Sequence, residues 1–315
     1  MAPVISIITP TYNRSRVLGR AIESVLSQTV DDFEYIVVDD ASTDDTADLV
    51  RSFNDKRIRF IQLEKNSGAN RARNTGINAA SAPTLAFLDS DDVFQPDRLA
   101  NTLDAFAKNP KVNLVINSFV SVSKARQSDC TNLEAILSPA LLWQALVTYN
   151  LFISSSAINV RRQTALDVGG FSEGLNRMQD RDFLLKLASH HGALTVAQID
   201  WIKYESDDSI SASHRGYVRA LAELMALNPT VAAKERATVR YHVLRRMLKL
   251  LARRRIDIAL SELLESRLHE DTRIPFHAMI ASYKGGKQRR RAVRQALIRA
   301  ARDYADKHLR EDQTP

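Results

Sequence analysis

Thr84-Leu85-Ala86-Phe87-Leu88-Asp89-Ser90-Asp91-Asp92 is an apolar run that breaks abruptly into three carboxylates within four positions. The apolar half suits a strand buried on both faces. Carboxylates so closely spaced repel one another, so the pattern calls for a positive partner: a metal, a lysine or arginine, or a bound proton. Oxygen ligands suit hard cations such as Mg²⁺ and Mn²⁺, which bind through one or two carboxylates together with substrate phosphates. A solvated turn leading into the helix after Pro96 is the competing reading of the same residues. A 12-residue calcium loop is excluded, because glycine is missing at its sixth position and glutamate at its twelfth.

Upstream, the same punctuation recurs. Val4-Ile5-Ser6-Ile7-Ile8-Thr9 is a β-branched run that ends at Pro10 and opens into Thr11-Tyr12-Asn13. Leu18, Ala21, Ile22, Val25 and Leu26 then mark one helix face. Tyr35-Ile36-Val37-Val38 runs into Asp39-Asp40, and Ser42 or Thr43 is placed to cap the next helix. Ile58 to Leu63 reads as a third strand, and a helix from about Asn70 to Ala80 carries Arg71 and Arg73. Strand and helix alternate as βαβ units, predicting a mostly parallel sheet flanked by helices. Ligands of such sheets bind beyond the carboxyl ends of the strands, where three polar clusters collect. Taken singly, Asp39-Asp40 also suits a turn or cap, and Arg71 and Arg73 suit solvent. No G-x-G-x-x-G follows the first strand and no G-x-x-x-x-G-K-[ST] occurs, which disfavours the common dinucleotide and P-loop sites.

Farther on, Leu114 to Val122 and Ile153 to Val160 read as strands. Ala140 to Val147 and Asp180 to Ala188 read as helices. Beyond residue 215 only helical spacing remains, as in Leu244, Leu248 and Leu251, and in a helix from about Arg289 carrying Val293, Leu297, Ala300 and Tyr304. The 315 residues carry a net charge of +7. Residues 1–215 contribute −4 and residues 216–315 contribute +11, so the two parts are expected to do different jobs. The single cysteine, Cys130, excludes an internal disulfide. With neither a secretory leader nor an apolar run of membrane-spanning length, the expectation is a cytoplasmic protein.

Four ordered motifs resemble family 2 glycosyltransferases of the GT-A fold: Ser6 through Arg14, Ile36 through Asp44, Gly68 through Ile77 with Ala72-Arg73-Asn74-Thr75-Gly76, and Phe87 through Asp92. The likeness covers roughly residues 3–215. It implies a catalytic domain over 1–215, with residues 1–110 holding a nucleotide-sugar and 111–215 the acceptor, followed by a helical, basic segment over 216–315. It also implies an inverting, metal-dependent transfer from a nucleotide-diphosphate sugar, UDP first with GDP and TDP open, to a hydroxyl of a glycan or lipid-linked acceptor. By position, Thr11 and Asp40 match contacts to base and ribose, Pro10 and Tyr12 shape that pocket, and Arg73, with Arg71 as substitute, lies near the nucleotide. Asp89 and Ser90 fall on the ribose or sugar side, and Asp91 and Asp92 on the Mn²⁺ or Mg²⁺ ion. Gly169-Gly170-Phe171 and Gln179-Asp180 match the acceptor region: Gly170, Phe171 and Gln179 as acceptor contacts, Asp180 as the base. The family's Glu-Asp pair reads Gln-Asp here, and a helix N-cap is the other role open to Asp180. A histidine expected shortly before Ser209-Ile210-Ser211 is missing, leaving Asp207 or His214 as substitutes.

Arg253-Arg254-Arg255 and Lys287 through Arg291 invite contact with an anionic membrane surface, which competes with plain packing; nucleic acid is the weakest reading. Two other functions compete with transfer. A nucleotidyltransferase would show a glycine-rich basic loop after the first strand, where Pro10-Thr11-Tyr12-Asn13 stands. A non-catalytic nucleotide-sugar or glycan-binding protein would consume no donor.

Overall fold

A computed structural model describes residues 2–124, 126–205 and 215–311. The first half alternates as expected: β1 (Ile5–Thr11), α1 (Ser15–Leu26), β2 (Phe33–Asp39), α2 (Thr46–Ser52), β3 (Ile58–Gln62), α3 (Ala69–Ala79), β4 (Thr84–Phe87), β5 (Val93–Phe94) and α4 (Arg98–Lys108). Every residue of β1 is buried, which is why it reads as an unbroken apolar run rather than an alternating one. The elements that follow are β6 (Leu114–Val122), β7 (Gln127–Cys130), β8 (Ala135–Leu137), α5 (Pro139–Val147), β9 (Ile158–Arg161), α6 (Arg162–Asp167), α7 (Gln179–Ala188) and β10 (Ala193–Tyr204).

The strands form one sheet in the order β3-β2-β1-β4-β9-β6-β10-β5, with β7 on β6 and β8 on β10. β1, β2, β3 and β4 are parallel, as are β6 and β10. β9 runs antiparallel to both its neighbours, β4 and β6. The edge at which β1, β2, β4 and β10 end is therefore also the edge at which β9 begins, so residues 153–156 join the strand-end clusters.

Several expectations needed correction. Ser42 and Thr43 do not cap α2, which starts at Thr46; Ser42 instead donates its backbone and side chain to the Asp39 carboxylate. Pro96 lies two residues before α4, its carbonyl accepting from Thr29 N–H at 3.1 Å. The strand expected over 153–160 shortens to β9, because Ser155–Ala157 forms a 3₁₀ turn. β10 escaped notice because its register shifts twice against β6, between Val196 and Ile199 and again between Ile199 and Ile202, which destroys period-2 alternation.

The C-terminal part is helical as expected: α8 (Tyr217–Leu227), α9 (Pro229–Lys234), α10 (Arg236–Ala252), α11 (Ile256–Leu268) and α12 (Met279–Glu311). α12 begins ten residues before the expected Arg289 and packs on α10, α5 and β8. Its Val293 and Leu297 belong to the same core as the sheet. Arg253, Arg254 and Arg255 are exposed in the turn before α11. No helix among the described residues is long and apolar enough to cross a membrane.

His242 of α10 ties this layer to α5. Its Nε2–H donates to the Val147 carbonyl at 3.0 Å, and its ring lies 4.2 Å from that of Tyr149. Burial, then the positive charge of Arg181, pulls its pKa down from 6.5 to about 3. The folded state therefore binds fewer protons than the unfolded state between those values, and stability falls as pH drops through that window. His242→Gln keeps a donor for Val147. It should lose less melting temperature than the wild type between pH 7 and pH 5 in paired thermal melts; equal losses would exonerate His242.

Candidate active site

A cleft of about 900 Å³ opens at this sheet edge and gathers Pro10, Thr11, Tyr12, Asp40, Arg73, Asp89, Ser90, Asp91, Asp92, Gln179 and Asp180. The Thr11 hydroxyl is buried without a hydrogen-bond partner among the described residues, as suits a group awaiting a ligand. Tyr12 is 43% exposed beside it. Asp40 accepts from Ser67 N–H at 2.8 Å and Gly68 N–H at 2.7 Å, fixing the loop before α3. Gly68 supplies the left-handed turn there, with φ 92°. Asp39 faces the other way, bonded to Ser42 and to Gln62 at 3.1 Å.

Arg73 pairs with Asp89 at 2.7 Å and sits 5.2 Å from the Phe171 ring centre, almost fully buried. Arg71 is exposed and pairs with Glu173 at 3.2 Å, so Arg73 is the arginine that reaches the cleft. The acidic loop is held from several sides. Asp89 N–H donates to Ser156 Oγ at 3.0 Å, and Ser156 Oγ donates to Asp92 Oδ2 at 2.6 Å. Asp92 Oδ1 accepts from Tyr204 N–H at 3.2 Å, and Arg20 Nη2 donates to the Asp91 carbonyl at 2.8 Å. Burial pushes the Asp92 carboxyl well above the usual range. Burial and then the Asp89 charge raise that of Asp91, against the pull of Arg14 and Lys203.

Lys203, near the end of β10, is the functional residue that sequence reasoning missed. Its Nζ donates to Ser154 Oγ at 3.2 Å inside the cleft. Burial would lower its pKa, yet the carboxylates of Asp92, Asp89, Asp180 and Asp91 outweigh burial and raise it. The positive partner that the acidic run demanded is thus partly built in. The only available signal was a lysine in an unrecognised strand. Asp207 and His214 lie outside the described residues.

Asp180 is not an N-cap. It is the second residue of α7, which begins after Met178 at φ 60°, and its carboxylate accepts from Ser155 Oγ. Asp182, two residues on and so on the opposite side of α7, accepts from Asn228 Nδ2 at 2.9 Å. Gly170 and Phe171, expected at the acceptor, do not reach the cleft. Phe171 is 1% exposed, stacked on Phe183 at 4.3 Å and edge-on to Phe87 at 5.3 Å. Its N–H donates to Asn74 Oδ1 at 2.8 Å. Gly170 has φ 64°, and a Cβ there would meet that same Asn74 oxygen at 2.4 Å. Both residues fasten α7 to β4 and α3, through the Phe171 ring on Phe183 and Phe87 and through Asn74.

A strand-end cleft of this kind, on a mixed sheet in this order, is the arrangement of a GT-A-type fold. The profile of glycosyl transferase family 2 matches residues 6–167, and the chain belongs to that family. A glycosyltransferase of Haemophilus influenzae is 29% identical over 184 residues, covering 58% of this chain and 62% of its own length. An Escherichia coli protein, the UDP-Glc:alpha-D-GlcNAc-diphosphoundecaprenol beta-1,3-glucosyltransferase WfgD, is 41% identical over 106 residues, 34% of this chain and 42% of that one. The matched parts thus span less than two thirds of these relatives. In fold, S. aureus TarS 1-349 in complex with UDP-GlcNAc has a TM-score of 0.59 at 20% identity, covering 72% of this chain and 66% of that one. A mannosyltransferase of Pyrobaculum calidifontis in complex with GDP-Man and Mn²⁺ gives 0.57 at 19% identity, covering 96% and 86%.

Proposed function

We propose that the chain is an inverting glycosyltransferase that moves a sugar from a nucleotide-diphosphate sugar, UDP foremost, to a hydroxyl of a glycan or lipid-linked acceptor in cell-surface polysaccharide synthesis. The observation that carries the reading is the meeting, in one cleft, of the unpartnered Thr11 hydroxyl, the Arg73–Asp89 pair, Asp91 and the Asp180 carboxylate. Relatives that act on nucleotide sugars support it, WfgD by its name and TarS by its bound UDP-GlcNAc.

A divalent cation fits the residues present. Among the described residues no group of three or more His, Cys, Asp or Glu forms a complete metal cage. Asp91, with Asp89 beside it, is instead an oxygen donor set that the donor's own phosphates would complete, the usual habit of Mg²⁺. When bound, the cation would neutralise charge on the departing diphosphate. Asp92 has both oxygens engaged by Ser156 and Tyr204, so its role is to hold the loop and Asp91 is the ligand. Thr11 and Tyr12 bind the base and ribose. Arg73 and Lys203 place positive charge where the leaving group develops negative charge. Asp180, oriented by Ser155, takes the acceptor's proton as the hydroxyl attacks the anomeric carbon from the side opposite the leaving group.

A thermal-shift screen of UDP, GDP and TDP, each with and without Mn²⁺, tests the donor half. UDP with Mn²⁺ should give the largest rise in melting temperature. No shift with any of the three would defeat the nucleotide-sugar reading.

A further inference from the structure

A second cleft, of about 650 Å³, lies between α12 and the segments that follow β7 and α5. Lys287, Arg290, Arg291 and Arg294 line it, spaced i, i+3, i+4 and i+7 and so on one face of α12. Among the described residues no Asp or Glu lines the cleft. None of these four cations has a carboxylate partner among the described residues, whereas neighbouring Arg289 turns away to pair with Glu235 at 2.7 Å. Arg290 also keeps a buried Nε without a hydrogen-bond partner. Against this basic wall stands an apolar one. Phe152 is 48% exposed and Leu133 47% exposed, above the buried Leu297. Unpaired cations beside exposed aromatic and aliphatic surface match one chemistry: an anionic phosphate joined to a hydrocarbon.

Tyr149 connects this cleft to the candidate active site, since it lines both. Its ring lies under the Arg181 guanidinium at 3.7 Å, its hydroxyl is 3.2 Å from that of Tyr217, and Arg290 Nη2 donates to its carbonyl at 3.4 Å. Tyr149 is thus a wall common to the two clefts, and a ligand held on α12 lies next to the candidate active site.

We propose that this cleft binds the phosphate and first hydrocarbon units of a lipid-linked sugar acceptor. The assignment rests on the transferase reading and adds to it the chemical class of acceptor and the residues that hold it. A flat bilayer would meet the exposed tips of these arginines but not the concave apolar wall behind them. The cavity is of a size to enclose a ligand of this kind.

Calorimetric titration of the full chain with farnesyl diphosphate, below its micellar concentration, tests the proposal. The wild type should bind it, and more tightly than inorganic diphosphate. Arg291→Glu/Arg294→Glu should weaken binding by about tenfold or more, the size expected for lost charge-assisted contacts. Phe152→Ser should weaken farnesyl diphosphate but leave inorganic diphosphate unchanged. The UDP thermal shift should persist in all variants, showing that they are folded with the donor site intact. Equal affinity for the two diphosphates, or indifference to the charge reversals, overturns the proposal. So does binding confined to phosphatidylglycerol vesicles, which would mean a bilayer contact instead. Farnesyl diphosphate binding without any nucleotide shift would sink the donor reading and leave this cleft standing.

Discussion

Asp180→Asn is expected to lower the rate of sugar transfer by about 10²–10⁴-fold, the range a positioned general base supplies, while nucleotide binding is kept. The substitution is nearly isosteric, and the new amide oxygen can still accept from Ser155 Oγ. α7 is anchored independently of residue 180, through Phe183 against Phe171 and Phe87 and through Asp182 to Asn228. The helix should therefore stay in place and only proton acceptance should be lost. Donor consumption and the UDP thermal shift, measured on the same preparation, separate the two effects. Transfer within tenfold of wild type would remove Asp180 from the role of base. Loss of the nucleotide shift would mean that the variant disturbs the donor site.

Arg98→Met should destabilise the fold by about 3–5 kcal/mol, the usual cost of breaking a buried ion pair on one side. Arg98 is fully buried, with Nε 3.5 Å from Asp200 Oδ1, and it donates to Thr102, the Ser156 carbonyl and Asn159. Burial pushes the Asp200 carboxyl up to about 6 despite the opposing charge of Arg98 and the bond from Asn117. Without the guanidinium, that group is left with neutral partners such as Asn117, and must either stay buried as a charge or take up a proton. Arg98→Met/Asp200→Leu, which removes both charges, should recover much of the loss in urea unfolding. A double variant no more stable than the single one would show that the arginine's other bonds, not the pair, carry the stability. UDP affinity should fall in the single variant as well, because the Ser156 that Arg98 grips also holds Asp89 and Asp92.

The strand-end part of the cleft was legible because its residues close strands that are buried on both faces. A continuous β-branched run and the polar residues ending it are local signals, and they marked Thr11, Asp40, Asp89 and Asp91, which line one cleft. Arg71 and Arg73 were not separable by spacing alone; the difference lies in Glu173, about a hundred residues away, which draws Arg71 outward. The part of the cleft built by residues 149–204 was less legible because its elements depend on distant partners. The bulges that hid β10 hid Lys203 with it. The 3₁₀ turn that brings Ser155 and Ser156 to the site looks in sequence like the start of a strand. Phe171 matched the family's acceptor region by position, yet two aromatic rings, Phe87 and Phe183, claim it for the core. The basic character of α12 was plain from composition. Its packing on α5 and β8, and the cleft that results, needed the three-dimensional fold.

The reversed direction of β9 bears on how this enzyme can be taken apart. Strands that all pointed one way would let a donor-binding half and an acceptor-binding half be exchanged like interchangeable parts. Here the 3₁₀ turn before β9 returns Ser156 to the acidic loop, while Tyr204 closes on Asp92 and Asp200 on Arg98. A chimera joined near residue 110 would have to match all three contacts at once. Swapping the halves of the sheet would therefore disturb the acidic loop itself.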